Sequence, residues 1–294
     1  MPNLAGSKQN VILKVIATLA ELQSSLKPLK TSGLKIALVP TMGALHQGHL
    51  SLIAEAQKLA EVVVCSIFVN PTQFTDPKDL EKYPRPLEHD IKMLNEAGCN
   101  FVFMPSVKEM YPGYPKPESW KIDLGEAEFV LEGEFRKGHY QGVTQIVYKL
   151  FDAVKPDVAM FGQKDFQQVL MIKNMVEALG LDVQIAVCPI IREADGLAMS
   201  SRNIHLSQAD REHALALSKA LFYIEANYKR LDLSQLLENA KAMINQMPGV
   251  ELDYLTIANG DTLRPITEKT HQNTVALVAA KVGQTRLIDN VIIK

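Results

Sequence analysis

Cysteine is scarce in this chain: three in 294 residues, Cys65, Cys99 and Cys188, odd in number and widely spaced. Two of them lie in apolar runs, so they read as reduced, buried thiols of a cytoplasmic protein and not as a disulfide framework. No Cys-x-x-Cys and no His-Glu-x-x-His occurs, which removes the usual zinc signatures. Long hydrophobic runs are missing too, since Val62 to Val69 falls far short of the roughly 20 apolar residues a membrane helix needs. The N-terminal stretch has the amphipathic pattern Val11, Ile12, Val15, Ile16 and Leu19 in place of a signal peptide's charged start, apolar core and cleavage site. Charge of one sign is not in excess: 31 basic and 33 acidic residues leave a net −2, so neither nucleic acid nor a membrane is an expected partner. Neither G-x-x-x-x-G-K-[ST] nor G-x-G-x-x-G is present, so a P-loop kinase or a dinucleotide dehydrogenase would lack its phosphate cradle.

What is present is alternation. Apolar runs at 35–39, 62–69, 101–104, 158–161 and 182–188 are separated by helical patterns at 50–60, 87–97, 143–154 and 166–179. Short strands divided by helices predict an α/β, Rossmann-like open parallel sheet with right-handed crossovers, whose ligands bind beyond the carboxyl ends of the strands. Past residue 190 the order changes to helices at 208–228 and 233–247, with Ser207 as N-cap, then strands at 253–257, 275–281 and 287–293 with a turn at 282–285. This predicts two domains, 1–190 Rossmann-like and 191–294 a smaller α+β unit. The segment Tyr111–Trp120, with three prolines, reads as an exposed, stiff excursion.

Chemistry concentrates at strand ends. In Pro40-Thr41-Met42-Gly43-Ala44-Leu45-His46-Gln47-Gly48-His49 a strand turns into a helix, where unpaired N–H groups and the helix dipole favour phosphate. Gly43 and Gly48 allow close approach, and His46 and His49, three apart, share a helix face. Two imidazoles there can donate to phosphate, bind a metal or form a structural pair. At the next strand end, Asn70 and Gln73 offer amides and Phe74 an apolar wall, though Asn-Pro is also a common turn. Gly162-Gln163-Lys164-Asp165 opens another helix with a cation that can reach phosphate and an acid that can equally cap the helix; Gln168 follows one turn on. Met199-Ser200-Ser201-Arg202 supplies two hydroxyls and a guanidinium, in what could also be an ordinary solvated loop.

In these motifs, together with Tyr83-Pro84-Arg85, Arg192-Glu193 through Asn203 and Leu287-Ile288-Asp289-Asn290, the chain resembles the pantoate–beta-alanine ligases of the nucleotidyltransferase superfamily. The resemblance spans nearly the whole chain and implies ATP-dependent joining of pantoate to beta-alanine through a pantoyl adenylate, with release of pyrophosphate and AMP. It implies that Met42 to His49, Gly162 to Asp165, Ile191 and Met199 to Arg202 bind ATP. His49 takes the family's general-acid place, and His46, Lys164 and Arg202 stabilise phosphate charge. Gln73 and Gln168 correspond to pantoate ligands, Gln73 also to the beta-alanine site, and Asn70 and His139 to the substrate cleft. Mg2+ is implied with the ATP, its protein ligands unassigned; where some relatives carry an acidic run this chain reads Leu87-Glu88-His89-Asp90. The glycines around His139 suggest a mobile or tightly turned segment. A homodimer is implied as well. A transferase of the same fold that keeps the nucleotide on its product, or a binder without turnover, would differ in not releasing AMP; the Gln73 and Gln168 pair favours the ligase.

Overall fold

A computed structural model describes residues 13–116, 118–269 and 273–293. The elements run β1 Lys14–Ile16, α1 Leu19–Thr31, β2 Ile36–Thr41, α2 Gln47–Leu59, β3 Val62–Ile67, α3 Pro77–Lys82, α4 Leu87–Glu96, β4 Phe101–Phe103, α5 Val107–Met110, α6 Glu132–Phe135, α7 His139–Val154, β5 Val158–Gly162, α8 Phe166–Ala178 and β6 Gln184–Cys188. Then follow α9 Gln208–Asn227, α10 Leu233–Asn245, β7 Val250–Asn259, β8 Thr274–Val282 and β9 Thr285–Ile293.

The first six strands form one parallel sheet in the order β1-β4-β3-β2-β5-β6. Its central strands read as unbroken apolar runs because both faces are covered. In β2, Ile36 and Leu38 face the core built with α1, α7 and α8, while Ala37 and Val39 face α2 and α4. From β2 the chain passes to β3 on one side and later returns to β5 on the other. The crevice between the carboxyl ends of β2 and β5 is therefore the topological switch point, where open α/β sheets bind ligands.

The last three strands form an antiparallel sheet, β7-β8-β9. Period-two alternation along β8 makes it a partition: Val275 and Leu277 join the core of the parallel sheet, while Ala276, Val278, Ala280 and Val282 pack with α9 and α10. β9 is thereby pressed toward the switch point.

The predicted α/β class and the elements from β2 onward are present. The helix at 143–154 begins earlier, at His139; of the two readings of the segment around it, mobile or tightly turned, the second holds, since Gly138 at φ +79° turns the chain into α7 and His139 is buried. The excursion at 111–120 is anchored: Tyr111 is buried and its hydroxyl donates to Asn70, and Trp120 Nε1 donates to Thr144. Pro117 of that segment, and Val11 and Ile12 of the N-terminal pattern, lie outside the described residues. The remainder of that pattern divides between β1 and α1, which Thr18 caps. The three cysteines are free and buried.

Candidate active site

A cavity opens at the switch point. It is lined by Met42, His46, Gly48 and His49 after β2, Asn70 and Gln73 after β3, His139 from α7, Gly162, Lys164, Asp165 and Gln168 after β5, and Ile191 and Met199 to Arg202 beyond β6. Sixteen of the positions expected from sequence therefore meet in one place. Gly43, Ala44, Leu45, Gln47 and Gln163 do not line it.

The loop before α2 explains that division. Gly43 and Ala44 both have positive φ, +79° and +51°, and the strained backbone is held by one buried acid. Asp90 of α4 accepts the N–H of Ala44 at 2.9 Å and that of Leu45 at 2.8 Å. Each oxygen thus accepts one backbone N–H, which makes Asp90 a brace for the loop.

The histidines use one nitrogen each to cap α2. His46 Nδ1 accepts from Gly48 N at 3.1 Å, and His49 Nδ1 accepts from His46 N at 3.3 Å. Two of the N–H groups expected to face phosphate are thus occupied by imidazoles, and a Cβ at Gly48 would lie 2.8 Å from the His46 ring. Nitrogens that accept carry no proton, so both rings are Nε2–H tautomers. Burial, helped by Lys164, lowers the pKa of His46 to about 4; burial, helped by His46 and then Lys164, lowers that of His49 to about 3. Both are neutral donors at neutral pH. Among the described residues no three His, Cys, Asp or Glu side chains cluster as a metal cage, which weighs against the zinc reading of the pair.

Asn70, fully buried, braces the next turn. Its Nδ2 donates to Gln73 Oε1 and to Gly142 O, and its Oδ1 accepts from Thr72 and Tyr111, so every hydrogen-bonding position is taken. It fixes Gln73, whose Nε2 approaches Met42 Sδ at 3.3 Å. His139 Nδ1 donates to Gln73 O at 2.8 Å, which leaves Nε2 as an acceptor; burial, then Arg136, lowers its pKa to about 4. Phe74 supplies the apolar wall, edge-on to Tyr83.

The charged rim comes from three directions. Lys164 lies 3.9 Å from Asp165, and Arg202 lies 3.3 Å from Asp79 on α3. Ser200 caps the turn that begins at Ser201 by accepting from Arg202 N, and Ser201 Oγ lies 3.4 Å from Tyr83 Oη. Arg85 donates to the carbonyls of Leu80, Glu81 and Tyr83, so the Tyr-Pro-Arg motif fastens the end of α3. The carbonyl of Ile191 accepts from Met199 N, which closes that loop.

Sequence reasoning gave no role to β9 or to the segment 132–136. Asn290 Nδ2 donates to the carbonyls of Gln163 and Lys164, both at 3.0 Å, and its Oδ1 accepts from Gln163 Nε2. Asp289 is paired with Arg192 at 2.6 Å. Glu132 and Arg136 also line the cavity. The signal for Asn290 was its place in the Leu287-Ile288-Asp289-Asn290 motif, two polar residues within an apolar stretch of β9; Glu132 and Arg136, four apart, look in sequence like an ordinary surface helix pair.

An open parallel sheet with histidines, a lysine and an arginine gathered at its switch point defines an α/β protein built to hold a phosphorylated nucleotide. The comparisons narrow this. The family model described as pantoate-beta-alanine ligase matches residues 14–292, and the chain belongs to that family. It is 46% identical over 280 residues to pantothenate synthetase of Bacteroides fragilis, covering 95% of this chain and 98% of that protein. It is 46% identical over 285 residues to pantothenate synthetase of Acetivibrio thermocellus, covering 96% and 100%. The crystal structure of pantothenate synthetase from Thermus thermophilus superposes with a TM-score of 0.89 at 37% identity, covering 95% of this chain and 99% of that one. That of pantoate-beta-alanine ligase from Francisella tularensis, complexed with beta-gamma ATP and beta-alanine, gives 0.79 at 33% identity, covering 96% and 98%.

Proposed function

We propose that this chain is an enzyme that condenses pantoate with beta-alanine at the expense of ATP, forming pantothenate, AMP and pyrophosphate. The observation that carries the reading is the meeting of His46, His49, Lys164, Arg202, Gln73 and Gln168 in one cavity at the switch point. Family membership and the ATP and beta-alanine in the Francisella relative's complex support it.

In the first step a pantoate carboxylate oxygen attacks the α-phosphorus, and the bond to the β-phosphate bridging oxygen breaks. Negative charge grows on the phosphates as it does so. Neutral Nε2–H donors at His46 and His49, with Lys164 and Arg202, match that charge best in the transition state. Gln73 and Gln168 hold the hydroxy acid through their amides. In the second step the amine of beta-alanine attacks the acyl carbon, the bond to AMP breaks, and the nitrogen gives up a proton. Mg2+ would be held chiefly by phosphate oxygens and would offset their charge.

We divide the chain near residue 190, the first part carrying the pantoate site and most of the nucleotide site, the second adding Ile191 and Met199 to Arg202 to the cavity and bracing it through β9. We also take the protein to be a cytoplasmic homodimer: two-fold dimers are common, the cysteines are free, and no described helix is long and apolar enough to cross a membrane. Product analysis by quenched flow tests the function. Pyrophosphate should appear with ATP, Mg2+ and pantoate alone, and AMP and pantothenate only after beta-alanine is added. Folded protein that makes no pantoate-dependent pyrophosphate would refute it.

A further inference from the structure

Asn203 closes the loop that carries Met199 to Arg202, and half of its amide is left over. Its Nδ2 donates to Glu193 Oε1 at 2.8 Å and to Ala198 O at 3.1 Å. Both partners are acceptors, so the network fixes which way the amide faces. Oδ1 is then buried without a donor among the described residues, a state that buried polar atoms rarely keep. Asn203 also lines a second cavity, of about 10 Å³, between this loop, α9 and β9. The polar wall of that cavity is Lys164, Ser200, Asn203 and Asp289, and the remainder is apolar. Ser200 is engaged in its own turn, where it accepts from Arg202 N. Lys164 lines both cavities, and its ammonium makes no hydrogen bond among the described residues, with Asp165 at 3.9 Å. Asp289 Oδ2 accepts from Arg192 Nη1 at 2.6 Å and has a lone pair to spare. The Lys164 charge reaches it: burial raises the pKa of Asp289, and Arg192, the Asn290 N–H and Lys164 oppose the rise.

We propose that the small cavity binds one water molecule, which ties Asn203 and Asp289 to Lys164 and makes Asn203 a positioning residue for that lysine. The size admits a single water and little more. Charge decides among occupants of that size. Lys164 and Arg192 outweigh Asp289, which disfavours a cation, while the Asn203 oxygen and the Asp289 carboxylate turn away an anion. A water satisfies every open group at once: it donates to Asn203 Oδ1 and to Asp289 Oδ2 and accepts one N–H of Lys164, about three bonds, as buried waters usually make. The ammonium keeps its other N–H groups for phosphate, and a long flexible side chain loses its freedom to swing away. The turn after β5, the loop before α9 and β9 are thereby joined at one point. The water stands independently of the reaction; its effect on pyrophosphate formation rests on the ligase reading above.

A high-resolution crystal structure of the native protein tests the occupant. A solvent peak should lie within hydrogen-bonding distance of Asn203 Oδ1, Asp289 Oδ2 and Lys164 Nζ. A cavity without density, or the lysine itself donating to Asn203, would overturn the proposal. Ala198 also lines the cavity, and the isosteric pair Ala198→Val and Ala198→Thr tests the consequence. Either side chain displaces the water, but only threonine brings a hydroxyl that can donate to Asn203 and accept from Lys164. Ala198→Val should slow pantoate-dependent pyrophosphate release in a single turnover by roughly 10- to 100-fold, the scale of a misplaced catalytic group. Ala198→Thr should recover most of that rate. Equal slowing by both would show that volume matters and the hydrogen bonds do not, and a native rate in the valine variant would show that nothing needs the water; either result overturns the positioning role. If the valine variant does not fold, the solvent peak still decides. A native protein that shows the peak yet makes no pantoate-dependent pyrophosphate would refute the ligase reading and leave the water in place.

Discussion

His49 takes the backbone N–H of His46 on its Nδ1, and the two rings lie 4.1 Å apart between centroids, so neither can swing without uncapping α2. The pair is locked as neutral Nε2–H donors, with pKa values lowered to about 4 for His46 and about 3 for His49. Because the free enzyme keeps these rings unprotonated well below 6.5, kcat/KM for ATP in the pyrophosphate-forming step should show no acid limb near that value and should fall only below about pH 5. A one-proton limb centred near 6.5 would mean that at least one ring titrates normally.

Removing one transition-state donor typically costs about 100-fold or more. His49→Ala and Lys164→Ala should each slow pantoate-dependent pyrophosphate release by at least roughly that factor, measured in a single turnover. A variant with native turnover would take that residue out of the mechanism.

Asp90 supports the nucleotide loop from behind. Asp90→Ala leaves the Ala44 and Leu45 N–H groups unpaired beside a positive-φ turn and should destabilise the fold by roughly 2–5 kcal/mol in urea titration, with a raised KM for ATP. Unchanged stability would show that the turn holds itself.

Asn290 does the same for Lys164 from the other sheet. Asn290→Ala frees the carbonyls of Gln163 and Lys164, and the displaced lysine should slow pyrophosphate formation by roughly 10- to 100-fold. Stopped-flow detection of pyrophosphate gives the rate; a native rate would make β9 a structural strand only.

Sequence legibility followed periodicity. The buried parallel strands and the strand-to-helix turns stood out because apolar runs and glycine-bearing turns are local signals, and the cavity gathers most residues picked from them. What stayed hidden depends on long-range partners. Asp90 reads as a first-turn helix acid until Ala44 and Leu45 are seen on it, although its spacing from Leu94 does place it on the buried face of α4. Glu132 and Arg136 look like an i,i+4 pair, and only the arrival of Arg286, 154 positions on, separates them. Asn70 looks like a ligand by type, but its four hydrogen bonds make it a support.

The central claim is that pantoate attacks the α-phosphorus through its carboxylate, and heavy-oxygen-labelled pantoate carboxylate tests it directly. After one turnover with ATP and beta-alanine, the AMP should carry one oxygen from pantoate in its phosphate, read by mass spectrometry. Unlabelled AMP, or label in orthophosphate with ADP as the other product, would contradict an adenylate and point to a different activation of the acid.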